Sequence, residues 1–217
     1  MTVHGNSAAA HAEGLRAGAR KGLWRKLTAR VGLNPQAARA DAEAARWDHG
    51  AAAEKLTARL LAPLAAKGWH IRHDLALPGS RANVDHILIP PGADGVIVLD
   101  TKAWHRGRRT RVARGRVHCG EQDRHGQVEK VAGYAARVQA ALGDGVQVEP
   151  LLVVHGSRVA GGHLDVGVKG WPGPVYVLAP DWLVSTLEAV ATRSAPDPRA
   201  ADALAARVDA LLPRYRE

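Results

Sequence analysis

The sequence predicts a mixed α/β domain, and three observations carry that expectation. The hydrophobic period changes from helical to alternating near Trp69. Three strand-like runs then follow in succession, punctuated by Pro/Gly turns. A helix, two short β-rich runs and further helices complete the order, which implies a mixed sheet flanked by helices.

Residues 1–35 stand apart as a basic N-terminal arm. Arg16, Arg20, Lys21, Arg25, Lys26 and Arg30 fall there with Glu13 as the only acid. Leu23, Leu27 and Val31 recur at helical spacing, and Asn34-Pro35 marks a break. The α/β domain is read over residues 36–217. From Gln36 to Ala62 the chain is Ala-rich and reads as helix, with Leu56, Leu60 and Leu64 at i, i+4 spacing. Pro63 and Lys67-Gly68 close it. Strands are expected over Trp69–Leu77, Val84–Ile89 and Val96–Lys102, with turns at Pro78-Gly79 and Pro90-Pro91-Gly92. Arg109–His118 reads as a strongly basic strand or ribbon. Gln127–Leu142 reads as helix, its stripe formed by Val131, Tyr134, Val138 and Leu142. Leu151–Val154 and Val175–Leu178 suit a buried sheet. Helices from Pro180 or Asp181 to about Ala191, and from Pro198 to Leu212, end the series.

Composition narrows the function. Apolar residues make up 46% of the 217, enough for a substantial core. Thirty Lys and Arg against 21 Asp and Glu give a formal charge of +9, which calls for an anionic partner. No run approaches the roughly 18 apolar residues of a membrane span, and no apolar leader stands at the N-terminus. Cys119 is alone, so no internal disulfide can form, and a cytoplasmic location is expected.

The chemistry converges on two strands. Side chains alternate along a strand, so Asp100 and Lys102 share a face. If Pro90 lies opposite Gly95, antiparallel pairing keeps opposed numbers at a sum of 185, and Asp85 falls opposite Asp100. Two facing carboxylates destabilise by roughly 0.2–1 kcal/mol unless compensated. A Mg²⁺ ion, which takes carboxylates plus waters, would compensate them. That layout suits phosphodiester hydrolysis, because the ion polarises a phosphoryl oxygen and acidifies water. Lys102 would position or deprotonate the attacking water, or offset the charge that develops. Glu54, on the preceding helix, could hold a second ion or a metal-bound water, and the Thr101 carbonyl is a further candidate ligand.

These segments together resemble the nuclease-related domain, NERD, a branch of the PD-(D/E)xK or restriction-endonuclease-like group. The resemblance covers about residues 46–154. It rests on Gly50-Ala51-Ala52-Ala53-Glu54, on Asn83-Val84-Asp85-His86-Ile87-Leu88-Ile89, and on Gly95-Val96-Ile97-Val98-Leu99-Asp100-Thr101-Lys102. Trp104, Gly107 and Gln127 complete it. It implies a restriction-endonuclease-like fold in which Glu54, Asp85, Asp100 and Lys102 form the catalytic set and Gln127 adds a polar contact. It also implies Mg²⁺ or Mn²⁺ held by Asp85, Asp100 and Glu54, and cleavage of nucleic acid, DNA before RNA. The chain departs from the family in having Asp100 where Glu is commoner, and in the later placement of Gly107. The alternative is a non-catalytic nucleic-acid-binding module that keeps the fold.

Beside this set, Arg106, Arg108, Arg109, Arg111, Arg114 and Arg116 read as a phosphate-binding wall. His86 should point away from the face of Asp85. His70 and His73, three apart on a strand, make a poor zinc pair. No Gly-rich nucleotide cradle is present. Trp104, Trp171 and Trp182 could stack on bases, although packing is the commoner role for tryptophan.

Overall fold

The computed structural model describes residues 35–215, so the basic arm anticipated over residues 1–35 lies outside the described residues but for Pro35. The first helix, α1 (Pro35–Leu61), is Ala-rich with Pro at its first position, where the missing N–H costs nothing. Compactness divides the chain between Leu56 and Thr57, within this helix. A 3₁₀ turn, Ala62–Lys67, follows. Its period of three takes Leu64 out of the stripe expected with Leu56, and Leu56 is exposed while Leu64 is buried.

From Thr57 onward the structure is built on a six-stranded sheet with the order β1-β2-β3-β7-β10-β9. These strands are β1 (His70–Ala76), β2 (Asn83–Ile89), β3 (Val96–Ala103), β7 (Val148–His155), β9 (His163–Gly167) and β10 (Pro174–Leu178). The first three run antiparallel, β3, β7 and β10 run parallel, and β9 returns antiparallel on the edge. A second sheet, ordered β6-β5-β4-β8, joins β4 (Arg109–Ala113), β5 (Arg116–Cys119), β6 (Gln122–Asp123) and β8 (Arg158–Val159). Three more helices cover the sheets: α2 (His125–Leu142), α3 (Pro180–Ala191) and α4 (Pro198–Leu211). Two mixed sheets flanked by helices make the nuclease-like α/β fold that the sequence predicts.

β2 and β3 are buried along almost their whole length because both sheet faces are covered. On one face Ile87, Ile89, Val96 and Val98 meet Ala135, Val138 and Leu142 of α2 and Leu204 and Val208 of α4. On the other, Leu88, Ile97 and Leu99 meet Leu61, Leu64 and, from α3, Leu183 and Leu187. Each fully buried Val, Leu or Ile contributes about 1.5–3 kcal/mol, so these two layers hold β3 rigidly at the sheet centre. The basic ribbon resolves into the β4–β5 hairpin, turning at Arg114-Gly115, both in the left-handed region. The second sheet and β9 were not foreseen: β6 and β8 are two residues long, and β9 begins inside a Gly-Gly-His run that reads as loop.

The turn after β7 brings the second sheet against the first. Gly156 has φ +86°, and a Cβ there would sit 2.3 Å from the Trp104 carbonyl oxygen. Gly156→Ala therefore combines left-handed strain with a backbone clash. It is expected to lower stability by at least about 1–2 kcal/mol in urea denaturation, with the folded circular-dichroism spectrum retained.

Candidate active site at the end of strand β3

β2 and β3 pair as His86↔Leu99, Ile87↔Val98 and Leu88↔Ile97, each summing to 185. The expected register is therefore present, and Asp85 and Asp100 occupy the next position, where the β2–β3 ladder ends. Both are buried, at 9% and 3% exposure. β3 itself continues to Ala103, because its other edge stays paired with β7 through Asp100↔Leu152, Thr101↔Val153 and Lys102↔Val154.

Asp85 does more than face Asp100. Its Oδ2 accepts a 2.7 Å hydrogen bond from the Thr101 backbone N–H, a donor that continued antiparallel pairing would give to a β2 carbonyl. The pleat explains this. Leu75 and Val84 form a facing pair and pack in the same cluster as Ile87, although simple alternation puts Val84 on the opposite side from Ile87. The change of phase coincides with Asp74, at φ +53°, across from Asp85. Strict alternation along β2 does not hold at the one residue where chemistry depends on it.

Lys102 closes the group. Its Nζ lies 2.5 Å from Asp100 Oδ2 and donates to the Thr101 carbonyl at 3.2 Å. Burial by itself would lower the Lys102 ammonium, but the carboxylates of Asp100 and Asp85 outweigh it and hold it above the ordinary lysine range. Lys102 is thus a cation at neutral pH beside these carboxylates. Its side chain keeps 31% exposure, against 5% for that of Asp100. Tyr134 of α2 stands over the same group. Burial first, and then the Asp100 charge, raise its phenol, with Lys102 opposing.

Behind β3, Thr101 is tied a second time. Its hydroxyl donates to Thr57 Oγ1 at 3.1 Å, and Thr57 Oγ1 lies 2.8 Å from His155 Nε2. Burial lowers His155, with Asp181 acting in opposition, so the ring is neutral and Nε2 can accept from the Thr57 hydroxyl. Thr57, Tyr134 and His155 were not singled out from sequence as site residues. Tyr134 is indistinguishable there from the apolar stripe it completes, and Thr57 and His155 lie 98 residues apart.

Glu54 lies on α1 in the other compact unit and is half-buried. Gln127 accepts the Trp104 indole N–H at 2.7 Å, which ties the segment after Lys102 to the first turns of α2. Trp104 is buried, as packing predicts. His86 is buried away from Asp100, its Nδ1 2.7 Å from Nδ1 of His73. His70 turns instead to Asp202. The arginines Arg106, Arg108, Arg109, Arg111, Arg114 and Arg116 are all exposed. Arg116 pairs with Asp123 at 2.6 Å, and Arg111 lies 3.6 Å from Glu121. Ser157 anchors the start of this hairpin: its hydroxyl donates to the Arg108 carbonyl at 2.7 Å and lies 2.7 Å from Thr110 Oγ1. Cys119 is buried beside it, a core thiol.

Two buried carboxylates and an adjacent ammonium thus meet at the end of a central strand of a nuclease-like α/β fold. Residues 49–155 match the family described as nuclease-related domain, NERD. No curated protein and no solved structure matches the chain. Among the described residues, no helix is long and apolar enough to cross a membrane.

The neutral His155 carries a pH signature. The unfolded chain takes up a proton on this residue near pH 6.5, and the folded chain resists it. Folding stability is therefore expected to fall as pH drops from about 6.5 through the lowered folded value. Unfolding free energies measured from pH 7.5 down to 5 should show a flatter slope in His155→Gln than in the wild type; parallel slopes would contradict a neutral His155.

Proposed function

We propose that the protein is a divalent-metal-dependent nuclease that hydrolyses phosphodiester bonds in DNA, with Asp85, Asp100 and Lys102 at its centre. The observation that carries this reading is the pair of buried carboxylates meeting at the open end of the β2–β3 ladder, with the Lys102 ammonium against one of them. Burying two carboxylates costs several kcal/mol per ion unless positive charge compensates.

The donor set fits Mg²⁺ or Mn²⁺. Asp100 Oδ2 is buried without a partner in hydrogen-bonding geometry, although the Lys102 ammonium lies beside it. Among the described residues, no group of three or more His, Cys, Asp or Glu is placed to hold a metal. Two carboxylates suit Mg²⁺, which keeps several waters and completes its shell with substrate phosphate. Asp85 and Asp100 would hold the ion. When bound, the ion supplies Lewis-acid polarisation of the phosphoryl group.

The remaining steps belong to the chain. Asp85, bonded to the Thr101 N–H, keeps its carboxylate fixed against β3. Lys102, protonated beside Asp100, offsets negative charge that builds on the phosphoryl oxygens. Tyr134 of α2 lies within the field of Asp100 and Lys102, and the Trp104–Gln127 hydrogen bond would steady the segment that follows Lys102. The exposed arginines of the β4–β5 hairpin would bind phosphates and supply affinity that falls with salt. Residues 36–217 are proposed as the catalytic domain, working in the cytoplasm, with residues 1–35 as an accessory basic arm.

Cleavage of plasmid and linear DNA with Mg²⁺ or Mn²⁺ tests the reading. Asp100→Asn and Lys102→Ala should each reduce the rate by at least about 10²–10³-fold, the cost of removing a group that stabilises transition-state charge. Isothermal titration should show metal binding by the wild type and its loss in Asp100→Asn. A folded wild type that neither binds metal nor cuts DNA or RNA would sink this function and leave a nucleic-acid-binding module.

A further inference from the structure

Trp182 is one of four large apolar side chains among the described residues that stay exposed, at 46%. It stands in the first turn of α3. That helix follows β10, which runs parallel to β7 and β3, so Trp182 follows the same, C-terminal end of the parallel strands at which Lys102 stands. Its indole is seated deliberately. Gly162 has φ +87°, and a Cβ there would lie 2.1 Å from the indole nitrogen, so no larger residue fits beneath the ring. His163 flanks it, with ring centroids 5.5 Å apart and planes inclined by 38°. A tryptophan packed this closely from below and open from above is held as a surface, not tolerated as a stray apolar side chain.

The seat is joined to the basic sheet through the backbone. Arg109 of β4 pairs with Arg158 of β8, and both side chains are exposed. The Ala160 N–H then bonds the Thr110 carbonyl at 2.9 Å, and the Gly162 N–H bonds the Val159 carbonyl at 3.2 Å. The Gly162 carbonyl accepts from Ala179 at 2.9 Å, directly before α3. A run of hydrogen bonds thus leads from two neighbouring arginines to the base of the indole. Cationic groups beside an open aromatic face are the pairing that binds unpaired nucleotides, because phosphates meet the cations and a base stacks on the ring. A duplex, whose bases already stack on one another, has no free base face to offer.

We propose that Trp182, seated on Gly162 and flanked by His163, is a stacking platform for an unpaired base, with Arg109 and Arg158 taking the adjoining phosphates. The substrate class is then single-stranded or locally unpaired nucleic acid. This inference rests on the nucleic-acid reading above, but it concerns binding and is tested without turnover.

Fluorescence anisotropy of a labelled oligothymidine, and of a labelled duplex, is measured on the full chain in EDTA. Trp182→Ala should weaken oligothymidine binding by about ten-fold, within the range that base–aromatic stacking supplies, while Trp182→Phe stays close to wild type. Duplex affinity should change less than about two-fold in both variants. Arg158→Ala should weaken both ligands and reduce the salt dependence. Any one of three results overturns the platform: wild type that does not bind oligothymidine, Trp182→Ala that binds it as wild type does, or equal losses on oligothymidine and duplex. A dimer in sedimentation that Trp182→Ala converts to monomer also overturns it, since a second copy would then cover the indole. Binding in EDTA that persists when metal-dependent cleavage is absent would refute the proposed activity and leave the platform standing.

Discussion

Burial of negative charge at the end of β3 is the constraint around which the rest of this molecule is arranged. Asp100 belongs to a strand packed on both faces, so its carboxylate has no access to bulk water. Asp85 is brought beside it by the β2–β3 register. Such a pair persists only if neighbouring groups compensate it. Lys102 provides an ammonium, the Thr101 N–H provides a hydrogen bond to Asp85, and the surrounding layers keep all three from relaxing apart.

Thr101 is where these requirements meet. Its N–H holds Asp85, its carbonyl accepts from Lys102, and its hydroxyl joins Thr57 and then His155. One residue between the acid and the lysine thus links the end of α1, the two central strands and β7. Its side chain lies on the face opposite Asp100 and Lys102, as alternation requires. Thr101 is the middle residue of the Asp-x-Lys motif. Here it transmits the packing of one face to the geometry of the other.

The second sheet serves a different need. The β4–β5 hairpin and β8 carry a concentration of exposed arginines, which repel one another and gain little from the chain's own acids beyond Arg116–Asp123. Their backbone is held by the buried Ser157–Thr110 contact and by the turn at Gly156, so the charge is displayed on a firm support. On the proposed function, cations displayed on a firm support would draw a phosphate chain towards carboxylates that would otherwise repel it.

Much of this was readable in the residues themselves. The strand runs Val84–Ile89 and Val96–Lys102, the turn between them and the register that sets Asp85 opposite Asp100 follow from the hydrophobic pattern and a short loop, both local properties. The basic hairpin follows from composition. Four things did not follow. The flip of the pleat at Asp74 and Asp85 depends on a left-handed backbone at a residue whose side chain gives no sign of it. The roles of Thr57, His155 and Tyr134 depend on contacts between segments far apart in the chain. The edge strand β9 forms in a Gly-Gly-His stretch because β10 offers it hydrogen-bonding partners, which outweighs a weak local preference. The seat of Trp182 arises where a turn and a helix meet. Local spacing determined which charges would face one another, because register is a local property. Tertiary packing alone decided what surrounds, orients and neutralises them, because those partners come from distant segments through the folded core.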